Sequence, residues 1–363
     1  MIFTANKQTI VAALSRLSGV VARKSTIPII SHVLINAHKS GKVVFSATNM
    51  DMEATVTILA AVQAPGKTTA PGDMLAQIAK NAADGAEINF ELGDRLKIKS
   101  GRSRFNLATL PAANFPAFSD IAEPQTIETT CDVIGPYFSR VAFAASVDQS
   151  RYVLTGVLLF ASRGRLGSTA SNGHKVAFLD TDFAVDAEFS VIVPPFMAAE
   201  IAKAVAGSTA PCKLLIAQGK IRLEAGDLVI TSKLIDGSFP DIKRIIPRDL
   251  PHKLTVDEVE FAAAINRVAI SADGKTRSVK TEIGDGRIVC SAHGTESDAT
   301  DEVEADIEGV DIVMGFNLQY LLECIDAPGS ERVEIAYGGA EYPVIIRRPD
   351  DVEFLTVIAP VRV

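Results

Sequence analysis

One short phrase recurs three times along this chain at nearly the same interval. Leu14-Ser15-Arg16-Leu17, Phe138-Ser139-Arg140-Val141 and Ile265-Asn266-Arg267-Val268 share an apolar, small polar, Arg, apolar pattern. Arg16 and Arg140 are 124 positions apart and Arg140 and Arg267 are 127 apart. A solenoid repeat spans roughly 20–50 residues, so this period describes whole domains. Two further markers keep the phase. Phe115-Pro116 and Phe239-Pro240 are 124 positions apart, and Gln77-Ile78-Ala79-Lys80 matches Glu200-Ile201-Ala202-Lys203 123 positions later. Phe354 to Pro360 and Tyr320 to Ile325 are the looser third versions. The chain therefore reads as three copies of one domain, 1–121, 122–247 and 248–363, with short linkers at Glu123-Pro124 and Arg248 to Pro251. Its 363 residues suffice for three domains of ordinary size.

Each copy holds an early and a middle helix in otherwise strand-like sequence. Ile10, Leu14 and Leu17 fall on one face of a 3.6-residue period, as do Phe261, Ile265 and Val268. Asp257 and Glu260 have capping-box spacing before the latter helix. Met197, Ile201 and Val205 line a helix that Pro194-Pro195 would start, and Pro328-Gly329 would stop the last one. Runs such as Val43 to Ala47, Leu96 to Ile98, Val157 to Phe160 and Val344 to Ile346 read as strands, and Leu107 to Asn114 as a strand-like run ending in a turn. The expected class is α+β, with each domain a doubled β-α-β unit.

Charge is uneven. Residues 1–121 carry 13 Lys/Arg and 8 Asp/Glu, residues 122–247 carry 12 and 13, and residues 248–363 carry 11 and 23. The basic head concentrates charge in Arg95, Lys97, Lys99, Arg102 and Arg104, and the acidic tail in Glu296, Asp298, Asp301, Glu302 and Glu304. Strand alternation would gather many of these on one face. Opposite potentials at two ends favour head-to-tail association. The alternative is a pair of charged edges kept soluble against aggregation.

Chemistry is scarce. Gly66-Lys67-Thr68 and Gly274-Lys275-Thr276 resemble phosphate-loop ends, but the glycine required five positions earlier is Ala61 in one and Ala269 in the other. No G-x-S-x-G or H-E-x-x-H occurs, and His32, His38, His174, His252 and His293 are scattered. Asp51 and Glu53 could hold a cation, though an exposed strand end is the simpler reading. Cys131, Cys212, Cys290 and Cys324 lack metal spacing and read as reduced thiols. No apolar run reaches the roughly 18 residues of a membrane span, and Met-Ile-Phe-Thr-Ala-Asn is not a signal sequence. The expectation is a cytoplasmic, non-enzymatic scaffold or binding protein with no cofactor and no metal.

Longer motifs add a resemblance. Ser100 to Phe105 followed by Thr109 to Ala113 and Phe115-Pro116, Thr26 to Ile29, Ala47 to Glu53, Arg151 to Val157, Thr231 to Gly237 running into Phe239-Pro240-Asp241, and Ala359 to Val363 closely resemble the bacterial DNA polymerase III beta subunit family, the sliding clamps. The resemblance implies a head-to-tail homodimeric ring with helices inside and sheets outside. Duplex DNA would pass through it without sequence preference, and polymerase subunits and a clamp loader would bind through short linear peptides. A paralogue serving an accessory replicon or repair polymerases is the alternative within that family. An enzyme on a repeated scaffold and a purely structural oligomer are the readings outside it.

By the same resemblance Arg23, Lys24, Lys80, Gln149, Arg151 and Lys203 are candidate DNA contacts, and Ile270 joins the charged clusters at the dimer interface. The partner-peptide pocket would use Leu154, Thr155, Gly156, Ser171, Gly173, His174, Lys175 and Val176. Pro240, Arg244, Ile245, Val357, Ile358, Pro360, Val361 and Arg362 would complete it. Apolar members would form a floor for Leu/Phe anchors, with His174, Lys175 and Arg362 as donors. The chain departs from the family pattern at Asn172, Lys175, Ala359 and Val361, where Asp, Arg and Met are usual, and at Gly72-Asp73 and Pro195-Phe196, where basic residues are usual. Lys cannot reproduce the planar fork of Arg, so Lys175→Arg should change peptide affinity.

Overall fold

A computed structural model describes all residues except 23, 24, 218, 273–276 and 363. Gly274-Lys275-Thr276, Arg23 and Lys24 thus lie outside the described residues. Two compact units are present, one formed by 1–135 with 200–234 and the other by 136–199 with 235–363.

The first unit contains a five-stranded sheet in the order Ala61–Ala64, Ile2–Asn6, Glu87–Leu92, Leu96–Ser100, Ser103–Leu107. Its eight-stranded sheet runs Gln125–Thr130, Pro211–Ala217, Lys220–Ala225, Leu228–Lys233, Met52–Leu59, Lys42–Thr48, His32–Ala37, Gly66–Pro71. The second unit holds a twelve-stranded sheet. Its order is Phe189–Val193, Val157–Ser162, Arg165–Ser171, Lys175–Ala184, Phe354–Ile358, Val344–Arg347, Arg332–Tyr337, His252–Asp257, Asp298–Glu308, Arg287–His293, Ser278–Gly284, Ile312–Asn317. All ladders in these sheets are antiparallel. Each β-α-β unit carries two further strands after it, or three in the case of the first, and the helix-flanking strands pair with others instead of with each other.

The units cut across the second repeat because ladders cross the joints. Leu228–Lys233 of the second repeat pairs with Met52–Leu59 of the first, with Thr231 opposite Glu53. Phe354–Ile358 of the third pairs with Lys175–Ala184 of the second, with Val357 opposite Val176. Backbone bonding therefore continues from one repeat into the next.

The described helices are α1 (Lys7–Leu17), α2 (Gly72–Asn81), α3 (Cys131–Ile134), α4 (Pro136–Ser139), α5 (Pro195–Val205), α6 (Glu258–Val268) and α7 (Leu318–Asp326). Carboxamide or carboxylate oxygens cap three of them, where Asn6 accepts from Gln8 N, Asp257 from Glu260 N and Asn317 from Tyr320 N. The expected apolar faces are buried: Ile10, Leu14 and Leu17 on α1, Met197, Ile201 and Val205 on α5, and Phe261, Ile265 and Val268 on α6. α5 begins at Pro195, as expected, and is divided between the units. The early helix of the second repeat is broken into α3 and α4 at Gly135-Pro136, where proline removes a donor from the helical ladder. The run expected over Leu107 to Asn114 is also shorter, since the strand ends at Leu107 and a 3₁₀ turn follows at Ala112–Asn114.

The recurring arginines share one role. Arg16 bonds Asp227, Arg267 bonds Asp301, and Arg140 lies 3.8 Å from Asp351 with its guanidinium 3.9 Å over the Phe354 ring. In each case a cation from the helical phrase reaches a carboxylate on a strand or the turn beside it.

Candidate functional site

The pocket candidates all fall in the second unit. Leu154 and Thr155 end a 3₁₀ segment, Gln149–Thr155, whose first turn is capped by the Asp148 carboxylate accepting from Ser150 N at 2.9 Å. Gly156 follows where a β-carbon would stand 2.6 Å from Ile192 Cγ2 and 2.7 Å from the Val193 carbonyl, so no larger residue fits unshifted. The hairpin over 171–175 is fixed from within. Asn172 Oδ1 accepts from His174 N at 2.9 Å and Lys175 N at 3.0 Å, while Ser171 Oγ accepts from Gly173 N at 3.0 Å. Asn and Asp offer the same acceptor here, so the departure at Asn172 leaves the turn intact. Gly173 has φ +89, a left-handed conformation suited to glycine.

The terminal segment is tied down on both sides. Ala359 N donates to His174 O at 2.9 Å and Val361 N to Gly315 O at 2.8 Å. His174 is exposed, and its ring stacks on Tyr320 with centroids 6.1 Å apart. Pro240, Arg244, Ile245, Val361 and Arg362 are also exposed, whereas Leu154, Val176 and Val357 form a buried floor. Arg244 is held by Asp241 at 3.0 Å.

Two expected pocket residues are placed elsewhere. Along the Lys175–Ala184 strand alternate side chains face opposite ways. Val176 and Val357 are cross-strand partners in one apolar cluster, while the adjacent pair, Lys175 and Ile358, faces the other side. Ile358 is 1% exposed, in the core of the third repeat. Lys175 is 3% exposed, and its ammonium bonds Glu323 of α7 and lies 5.0 Å over Phe143 and 5.1 Å over Tyr320. It is therefore not the free donor expected from the sequence. Its alkyl chain and charge brace the helix that carries Tyr320. Tyr320, Phe143 and Glu323 were the residues the sequence did not single out for this site. Tyr320 was visible as the start of the repeated mid-copy motif, but nothing in spacing pointed it at His174.

Among the DNA candidates, Lys80 is exposed in the last turn of α2, Lys203 is exposed on α5 with Glu200 3.8 Å away, and Gln149 is exposed. Arg151 is exposed too, and its Nη1 donates to Asn172 O at 3.4 Å. The Asp51 and Glu53 pair is not arranged as a cation site. Asp51 bonds Lys233 at 3.0 Å, and Glu53 accepts from Phe118 N at 2.7 Å, with burial raising its carboxyl above the ordinary range. The four cysteines are buried free thiols, and burial pushes Cys290 up to about 12.

The charged clusters sit on strands with open sides. Lys97 and Lys99 share the exposed face of Leu96–Ser100, with Arg104 directly opposite Lys99. Arg95 and Arg102 occupy the flanking turns, and among the described residues Ser103–Leu107 pairs on one side only. In Asp298–Glu308, residues 298–304 pair with Arg287–His293, but only 305–308 pair with His252–Asp257. Asp298, Glu302 and Glu304 are exposed on one face, whereas Asp301 points to the other and is held below the usual carboxylate range by Arg267. Asp301 therefore stands apart from the other acids. Glu296 is exposed just before this strand, and Ile270 is 84% exposed.

Comparison with known proteins covers the whole chain. The N-terminal, central and C-terminal domain models of the DNA polymerase III beta subunit match residues 1–119, 130–241 and 243–362. The beta sliding clamp of Caulobacter vibrioides is 34% identical, with 100% of both chains covered. The crystal structure of the DNA polymerase III subunit beta from Pseudomonas aeruginosa superimposes with a TM-score of 0.96 at 28% identity over 100% of both chains. A sliding clamp from Bartonella birtlesii bound to griselimycin does so with a TM-score of 0.96 at 30% identity and the same coverage. Three domain models in order along one chain, full-length relatives and a full-length structural match have a single meaning: the chain belongs to the DNA polymerase III beta subunit family of sliding clamps.

Proposed function

We propose that this protein is a replicative processivity clamp, a head-to-tail homodimeric ring with helices inside and sheets outside. Duplex DNA threads it, and replication partners tether to it through short peptides. A tether raises the local concentration of a polymerase at the primer end without any chemical step. Such a protein works in the bacterial cytoplasm, and its domain joints lie near 121 and 247.

The observation that carries the ring is internal symmetry. At each joint within the chain, the last strand of one repeat pairs with the fourth strand of the repeat before it. Ser103–Leu107 is the last strand of the first repeat, and Asp298–Glu308 is the fourth strand of the third. These two are left with open sides, one basic and one acidic. Pairing them between two chains repeats the internal joint and closes six domains. DNA contact is loose and electrostatic, through Lys80, Lys203, Gln149 and the basic pair Arg23 and Lys24.

The partner pocket is read as His174, Tyr320, Pro240, Ile245, Val361 and Arg362 around the Leu154, Val176 and Val357 floor. Ala359 and Val361 favour a retuned peptide preference, which also supports service to an accessory polymerase as the second reading. Light scattering tests the ring. Wild type is expected as a dimer and Arg102→Glu/Arg104→Glu as a monomer. A wild-type monomer at micromolar concentration would refute it.

A further inference from the structure

The sheet face that carries the pocket floor continues beyond it. On the Lys175–Ala184 strand, Val176, Phe178 and Asp180 alternate onto one side. Val176 and Phe178 pack with Ile242 and Val357 in one cluster, joined by Phe160 and Phe239. Next to this cluster is a groove of about 1140 Å³. Its floor includes Phe160, Phe178 and Phe239, and Pro240 lines it while also belonging to the proposed pocket. Phe160 and Phe178 stack at 6.0 Å. Gly167 lets the Phe160 ring lie against the sheet, since a β-carbon there would stand 2.3 Å from its Cζ.

The rim is basic. Arg163, Arg165, Lys243 and Arg248 line it. The groove's acids are already engaged. Asp180 lies 3.1 Å from Arg165 and 3.4 Å from Lys243, Asp241 is 3.0 Å from Arg244, and Glu188 accepts from Arg163 N at 2.7 Å. Lys243 also lies 5.1 Å over Phe160 and 5.6 Å over Phe178. The side chains of Arg163 and Arg248 have no carboxylate partner among the described residues. Arg163 is fixed at the tip of a two-residue hairpin turn, with φ +54 followed by φ +75 at Gly164. Two uncommitted guanidinium groups above an aromatic floor suit carboxylates and apolar side chains on one extended segment.

We propose that this groove is a second recognition site, taking an acidic stretch that flanks the pocket-binding residues in the same partner polypeptide. The inference rests on the peptide-pocket reading, and it makes partner binding bipartite: anchors in the pocket, charge in the groove. The second contact is intramolecular once the first has formed, so modest groove contacts raise overall affinity.

Fluorescence anisotropy with three synthetic peptides tests this. One carries only Leu and Phe anchors, and two carry the same anchors with four glutamates on the N-terminal or C-terminal side. One extended peptide is expected to bind wild type roughly fivefold more tightly than the core, with the gain lost at high salt. The gain is expected to vanish in Arg163→Glu/Arg248→Glu, while the core peptide binds that variant as it binds wild type, which shows the variant folded. No gain from either extension, or a gain that survives in the double variant, overturns the groove. Core-peptide binding without a gain refutes the groove and leaves the pocket standing. Arginine-dependent binding of an extended peptide with no binding of the core refutes the pocket and with it the bipartite site, leaving the groove as a separate acidic-peptide site.

Discussion

Removing one member of the Lys175–Glu323 pair should cost more when the carboxylate goes than when the ammonium goes. Breaking a fully buried pair costs about 3–5 kcal/mol because a charge is left without a partner. Here the two sides differ. The Lys175 side chain is 4% exposed, whereas that of Glu323 is 31% exposed and also accepts from Gln319 Nε2 at 3.0 Å. In Lys175→Met the surviving carboxylate can turn to water and the methionine chain keeps much of the packing, so the loss should be only about 1–2 kcal/mol. In Glu323→Ala the surviving ammonium is buried against the Phe143 and Tyr320 rings without a carboxylate, and the loss should approach about 3 kcal/mol. The double variant should fall well short of the sum, with a coupling of about 1 kcal/mol or more. A protein of several domains need not unfold in two states, so the assay is amide exchange within α7, which reports local opening free energy. If Lys175→Met costs as much as Glu323→Ala, or if the coupling is near zero, the brace does not exist as described.

Four further outcomes follow from the geometry. Tyr320→Ala should weaken binding of an anchor peptide more than Lys175→Arg does, because Tyr320 stacks on exposed His174 while Lys175 lies beneath; calorimetric titration decides the order. Gly156→Ala should cost about 1–3 kcal/mol by overpacking against Ile192 and the Val193 carbonyl, seen as a lowered thermal midpoint. Asn172→Asp should be neutral to within about 0.5 kcal/mol, while Asn172→Ala should lose about 1–2 kcal/mol by orphaning two backbone N–H groups. Glu53, raised by burial, binds its proton more tightly folded than unfolded. It should therefore subtract stability as pH rises through the window just above the ordinary glutamate value of about 4.3. Glu53→Gln should remove that slope in a comparison of urea midpoints, and an unchanged slope would exclude Glu53 as its source.

Much of the architecture was legible because helical faces are a local signal. Ile10, Leu14 and Leu17 and their counterparts gave the helices, and the recurring arginine phrase gave the repeat. Pairing across the joints was not legible, since nothing local tells Thr231 that it will lie opposite Glu53. Nor was the break in the early helix of the second repeat anticipated, although Gly135-Pro136 stands just before the phrase. At the site, Lys175 was misread although strand alternation was available: a residue beside floor-lining Val176 points the other way. The bond from Arg151 to Asn172 O, across twenty-one residues of chain, was not legible either. The shared face of Lys97 and Lys99 was better read, because charge on an alternating strand states which face meets solvent.

Retention on DNA of defined topology tests the ring directly. Labelled protein is loaded on nicked circular DNA by a clamp loader with ATP, freed of unbound protein, and the DNA is then cut once. Encirclement predicts a dimer that stays on the circle through high salt and runs off the linear product. Equal retention on circular and linear DNA, or loss from both at the same rate, would contradict it.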